Sequence, residues 1–104
     1  MKATDSQFIG YVGSPDIHDA VVTKVQYQGT RASVTLKTQS GKVLEIEFEG
    51  VVSVKSNRPE GMILYSLSEM RHPHHRLFVF TNWEDEGEAH LELVADRYKM
   101  KTSV

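Results

Sequence analysis

Five histidines and a single tryptophan are the side chains of this 104-residue chain with most to offer chemically. Three of the histidines, His72, His74 and His75, fall in the run Arg71-His72-Pro73-His74-His75-Arg76. Imidazole is the commonest metal ligand and titrates nearest neutrality, so the run invites a metal or proton-transfer reading. The flanking residues oppose it. Pro73 denies the histidines a helical i,i+4 pair, the rings splay in an extended loop, and Arg71 and Arg76 repel a cation from both ends. His18-Asp19 is a second pair, and an imidazole beside a carboxylate is the orienting half of many nucleophilic sites. A small hydrolase or metal-dependent enzyme built on this chain would use His18, Asp19 and the His72–His75 loop. It would have to do so without a G-x-S-x-G elbow, a Walker loop, a Rossmann glycine pattern or an H-E-x-x-H helix. The acidic run Glu84-Asp85-Glu86-Gly87-Glu88 has the charge for calcium but not the D-x-[DN]-x-[DN]-G spacing. No metal and no cofactor is therefore expected. Trp83 beside that run is the better lead, because a large amphipathic ring next to charges suits a protein contact. The expected partner-binding residues are Trp83, Glu84, Asp85 and Glu86; the competing role for Trp83 is to cap the core.

The elements that position these residues are strands. Between Ala20 and Glu49 the runs AVVTKVQYQ, RASVTLKTQ and KVLEIEFE alternate apolar with polar and are divided by turn residues, the pattern of a half-buried antiparallel meander. Val21, Val25 and Tyr27 share one face of the first run, Ala32, Val34 and Leu36 one face of the second, and Leu44, Ile46 and Phe48 one face of the third. A Gln39-Ser40-Gly41 loop sets Leu36 opposite Leu44, Val34 opposite Ile46 and Ala32 opposite Phe48, with Gly41 supplying a left-handed conformation. A Gly29-Thr30 turn sets Tyr27 opposite Ala32 and Val25 opposite Val34; a Gln28-Gly29 turn shifts the pairing by two and keeps the same face inward. The other face, Lys24, Gln26, Ser33, Thr35, Lys37, Glu45, Glu47 and Glu49, meets water. Asp19 has the parity of the buried set, which requires a bonding partner for its carboxylate.

Residues 1–7 read as frayed, and Phe8, Ile9, Tyr11 and Val12 as a short apolar run that docks on the core. Ser14-Pro15-Asp16 is turn chemistry. Gly50 interrupts the alternation as a bulge or corner before a fourth strand at Val51, Val52 and Val54. The segment MILYSLSEM is apolar on both faces as a strand; it reads as a strand from Met62 to Leu67, followed by a tight turn or one helical turn capped by Ser66 and Glu69. After the histidine loop come an aromatic strand from Leu77 to Asn82, the acidic tip, and a closing strand from Ala89 to Tyr98. The expected core is Val21, Val25, Tyr27, Val34, Leu36, Leu44, Ile46, Phe48, Phe78, Phe80, Leu91 and Leu93. The fold is mainly β, one domain over residues 1–104, with about seven short antiparallel strands in a sandwich or partly open barrel and at most one short helical turn.

Composition bounds the rest. With 39% hydrophobic and 25% charged residues the chain is globular in make-up, and at this length it buries roughly two-thirds of its unfolded surface. The absence of cysteine excludes disulfides and thiolate zinc and suits a reducing cytoplasm. The first residues hold no apolar run of signal-peptide length, and no stretch is long enough to span a membrane as a helix. A net charge of −2 gives no pull towards phosphate backbones, so neither nucleic acid nor membrane is an expected partner.

His18-Asp19-Ala20, Phe48-Glu49-Gly50-Val51, the Gly61-Met62 to Glu69-Met70 segment, Phe78-Val79-Phe80 with Asn82-Trp83, and Leu91-Glu92-Leu93 together resemble a family of small bacterial β-rich proteins. The resemblance runs from His18 to Tyr98 and implies no activity. The His-Asp strand opening is also similar to that of immunity proteins of bacterial toxin systems, which implies a binding role. The expectation is a cytoplasmic, non-enzymatic protein-binding or adaptor module, with homodimerisation as its simplest form.

Overall fold

The alternating runs form nine strands and one 3-10 turn in the computed structural model, which describes residues 8–13, 15–84 and 87–103. The strands are β1 (Phe8–Tyr11), β2 (Val21–Gln28), β3 (Arg31–Lys37), β4 (Val43–Glu49), β5 (Ser53–Asn57), β6 (Leu64–Arg71), β7 (Arg76–Asn82), β8 (His90–Ala95) and β9 (Arg97–Ser103). They make two antiparallel sheets, ordered β1-β6-β7-β8-β5 and β2-β3-β4-β9, that do not close into a barrel. The expected fold class holds, with β1 and β9 as strands beyond the expected seven. The expected fraying of residues 1–7 lies outside the described residues, as does Ser14.

The core lies where the sheets face each other. Phe48 of β4 packs against Phe78 and Phe80 of β7 at ring separations of 5.1 and 6.1 Å, and Tyr98 of β9 meets Phe78 at 5.4 Å. Val22, Val34, Leu36, Leu44, Ile46, Leu64, Leu67, Leu91 and Leu93 are among the other buried residues of this core. Arg76 closes one end. It grips Glu69 with two hydrogen bonds of 2.9 Å and lies over Phe78 and Tyr98, and the bond to Glu69 raises its pKa further above the ordinary range.

The β3–β4 register is the expected one, with Leu36 opposite Leu44, Val34 opposite Ile46, Ala32 opposite Phe48, and Gly41 at φ 91°. The first hairpin turns at Gly29-Thr30 and pairs Tyr27 with Ala32 and Val25 with Val34. Two expectations fail in β2. A bulge at Thr23, between the pairs Val22 with Leu36 and Lys24 with Thr35, reverses the parity upstream, so Ala20 and Val22 are the buried residues and Val21 is only partly covered. Tyr27, at the turn end of an edge strand, is 51% exposed and no core residue, while Val25 packs partly buried against the core.

The other corrections concern where strands break. Residues Leu64–Arg71 are one strand with no helical turn after Leu67, because β1 and β7 flank it on both sides and their ladders override the Ser66/Glu69 capping pattern. The 3-10 turn lies instead at Pro15–Ile17. The closing strand ends at Ala95, and Asp96 turns the chain into the other sheet, its N–H donating to Glu49 C=O at 3.0 Å. Beside it Gly50 sits at φ 67°, and a Cβ there would collide with the Asp96 carboxylate. A second junction binds the start of β2 to the segment leading into β6: Val22 N–H to Met62 C=O, Gly61 N–H to Val22 C=O, Leu64 N–H to Ala20 C=O and Asp19 N–H to Leu64 C=O, at 2.7 to 2.9 Å.

Candidate functional site

This second junction carries two exposed aromatic side chains, Tyr65 and Trp83. The Pro15–Ile17 turn is anchored by buried Ile17, and Ala20 N–H closes it on Ile17 C=O at 3.0 Å. The next residues, His18 and Asp19, are then held at the start of β6 by the Asp19 N–H bond to Leu64 C=O. Asp19 takes a left-handed φ of 70°, a conformation that Asp and Asn tolerate better than most residues. From the other side, Trp83 leaves β7 and donates its N–H to Ile63 C=O at 2.8 Å. Between them stands Tyr65, at a bulge where the β6–β7 register shifts between Leu64 and Ser66.

These constraints bring three rings into one triangle. His18 meets Tyr65 and Trp83 edge-on, and Tyr65 stacks on Trp83 at an interplanar angle of 30°, all three centroid separations being 5.4 Å. The rings touch one another and leave no cage between them. Trp83 is 50% exposed, Tyr65 46% and the neighbouring Ile63 45%. Such large apolar side chains, half in water and flanked by backbone bonds, form an exposed apolar ridge. The ridge continues along the five-stranded sheet through Tyr11 and Phe8, whose rings meet at 5.0 Å.

Hollows flank the ridge. One of about 380 Å³ is walled by Tyr11, Val12, Pro15, Ile17, His18, Tyr65, Ser66 and Leu67, and one of about 510 Å³ by Asp19, Val21, Thr23, Lys37, Ile63 and Trp83. A third, of about 770 Å³, lies over the outer face of the five-stranded sheet between Phe8, Tyr11, Tyr65, Met70, Leu77 and Val79. Asp19 lies 3.2 Å from His18 Nδ1, which accounts for its carboxylate. Among the described residues no hydroxyl is hydrogen-bonded to the His18 ring.

The structure thus gathers the His18-Asp19 pair and Trp83, which sequence reasoning treated separately, and leaves the histidine loop out. His72 follows β6 at its far end, and seven strand residues at about 3.3 Å each put it roughly 23 Å along the strand from Tyr65. His75 Nδ1 bonds Asp96 at 2.7 Å, while His72 Nδ1 is buried without a partner among the described residues. No group of three metal-ligating side chains converges among the described residues. Glu84 is exposed, its N–H bonded to Asn82 Oδ1 at 3.0 Å; the expected partner residues Asp85 and Glu86 lie outside the described residues. Electrostatic tuning is found elsewhere, at Glu49, whose carboxyl the Arg97 hydrogen bond holds below the ordinary carboxylate range. No protein-family model, curated protein or solved structure matches the chain. The site therefore rests on its own geometry.

Sequence reasoning missed Ile63, Tyr65 and Tyr11. The signal for Ile63 and Tyr65 was present in MILYSLSEM: a strand apolar on both faces has one apolar face left over once the other is buried, and that remainder joins the ridge.

Proposed function

We propose that the chain is a non-enzymatic binding module that docks a protein, a second copy of itself included, on the ridge of Ile63, Trp83, Tyr65 and His18. The observation that carries this reading is the ring triangle itself, half exposed and fixed by main-chain bonds from two directions. Rigid Trp and Tyr side chains give large contact area at little entropic cost and dominate interface energetics. The reading carries with it a cytoplasmic setting, in keeping with a cysteine-free chain, and a protein rather than a nucleic acid as partner, in keeping with a net charge of −2.

The test exploits Trp83 as the sole tryptophan. Docking on the ridge shifts its emission to the blue, and light scattering over a range of concentrations shows whether the occupant is a second copy. Trp83→Ala with Tyr65→Ala should abolish self-association or partner capture while the far-ultraviolet spectrum stays native. A wild-type protein that remains monomeric at millimolar concentration removes the self-association form. Undiminished partner capture by the double variant removes the ridge from the other.

A further inference from the structure

The four-stranded sheet ends in a strand whose charges are matched on one side only. Arg97, Lys99 and Lys101 of β9 stand opposite Glu49, Glu47 and Glu45 of β4. Arg97 Nε bonds Glu49 at 2.7 Å, and Lys101 Nζ lies 3.6 Å from Glu47. Between these cations, Tyr98 and Met100 point inward and are only partly buried, although they are paired with fully buried Phe48 and Ile46. On its other side β9 meets no backbone partner among the described residues.

The remaining edges are shorter or occupied. β1 has four residues and β5 five. β2 has eight, but its outer side is taken at Val22 by Gly61 and Met62 and at Val25 by the Glu60 carboxylate, which accepts the Val25 N–H at 3.3 Å. Among the described residues β9 therefore offers seven residues of open edge, with alternate N–H and C=O groups unpaired. Its lysines guard against self-pairing, because two copies of β9 side by side set cations against cations.

We propose that this edge takes an added strand, an extended protein segment in which carboxylates alternate with apolar residues. The outward positions of that segment would face Arg97, Lys99 and Lys101, and its inward positions would cover Tyr98 and Met100. The template is β4, whose Leu44-Glu45-Ile46-Glu47-Phe48-Glu49 satisfies the same requirements on the other side of β9. The site uses no residue of the Trp83 ridge and stands independently of it.

The experiment titrates the isotope-labelled full chain with a capped synthetic peptide of sequence Val-Leu-Glu-Ile-Glu-Phe-Glu, with its all-Gln analogue, and with the acidic peptide N-methylated at alternate residues. The acidic peptide is expected to saturate and to shift the amide resonances of residues 97–103. At low salt it should bind about tenfold tighter than the Gln analogue, an advantage that shrinks as salt is raised. The N-methylated peptide should not bind, because it lacks the ladder donors. Lys99→Gln, at an exposed position, should weaken the acidic peptide severalfold with the melting temperature unchanged. Equal binding of acidic and Gln peptides, binding of the methylated peptide, shifts confined to other strands or to Trp83, or no saturation at millimolar peptide would each overturn the proposal.

Discussion

If the ridge is a rigid surface, Tyr65 and Trp83 must be energetically coupled. Each ring is about half buried, and a fully buried aromatic covers roughly 150 to 250 Å², so truncation to alanine removes about 100 Å² of covered apolar surface. At about 25 cal/mol per Å² that is roughly 2.5 kcal/mol for each of Tyr65→Ala and Trp83→Ala. Stacking at 5.4 Å adds about 1 kcal/mol beyond area, shared by the pair and lost in either single variant. The double variant should therefore fall short of the two single losses together by about 1 kcal/mol. Urea denaturation followed by far-ultraviolet circular dichroism measures all four proteins, since fluorescence disappears with the sole tryptophan. Additivity within about 0.3 kcal/mol would show that the rings do not stack in solution and would refute a preformed ridge.

Ile46, fully buried between Val34 and Met100, should lose about 3 to 4 kcal/mol on change to alanine, whereas Glu47→Gln on the opposite face should change stability by under about 1 kcal/mol. Equal losses in chemical denaturation would reverse the sheet's faces. Gly50→Ala should cost about 1 to 2 kcal/mol or more, read as a lowered melting temperature, because the residue sits at φ 67° against the Asp96 carboxylate; wild-type stability would mean that this corner is built differently. The Glu49 carboxyl is held below its unfolded value first by the Arg97 hydrogen bond, so its contribution is present above the ordinary carboxylate range and vanishes as pH falls through the folded value. Arg97→Gln should thus lower the melting temperature at neutral pH and converge with wild type in acid, and a gap that stayed constant in acid would contradict the pairing.

The meander was legible because period-2 patterning and turn chemistry act locally. The Gln39-Ser40-Gly41 loop fixed the register of β3 on β4, and every buried residue of those two strands followed from it. The breaks were illegible for the complementary reason. Nothing in Val22-Thr23-Lys24 marks a bulge, since its cause is remote: the start of β2 must bond Met62 and Gly61 as well as β3. Likewise the apolar parity of Leu91, Leu93 and Ala95 shifts across Asp96-Arg97 to Tyr98 and Met100, and only the Glu49 carbonyl and the glycine beside it reveal why the chain changes sheets there. Of the site, His18, Asp19 and Trp83 were each conspicuous by type, but their meeting depends on contacts more than forty residues apart in sequence.

The two bulges explain why the ridge stands where it does. An unbulged β2 would carry the parity of Val25 and Tyr27 back to Val21 and Asp19, turning the Asp19 carboxylate inward and leaving Val22 in water. The extra residue at Thr23 reverses this, burying Ala20 and Val22 and setting Asp19 and His18 on the exterior. In β6 the extra residue at Tyr65 lets Leu64 and Leu67, three positions apart, both enter the core, and it turns the intervening ring out towards Trp83. Each bulge is thus required by burial on one side and delivers an aromatic or charged side chain to the same patch on the other. Thr23 and Tyr65 themselves line the two hollows that flank the patch. A sandwich needing only a closed core could have met the junction with straight strands and small outward residues; Tyr65, His18 and Trp83 at those outward positions are what the proposed docking surface would use.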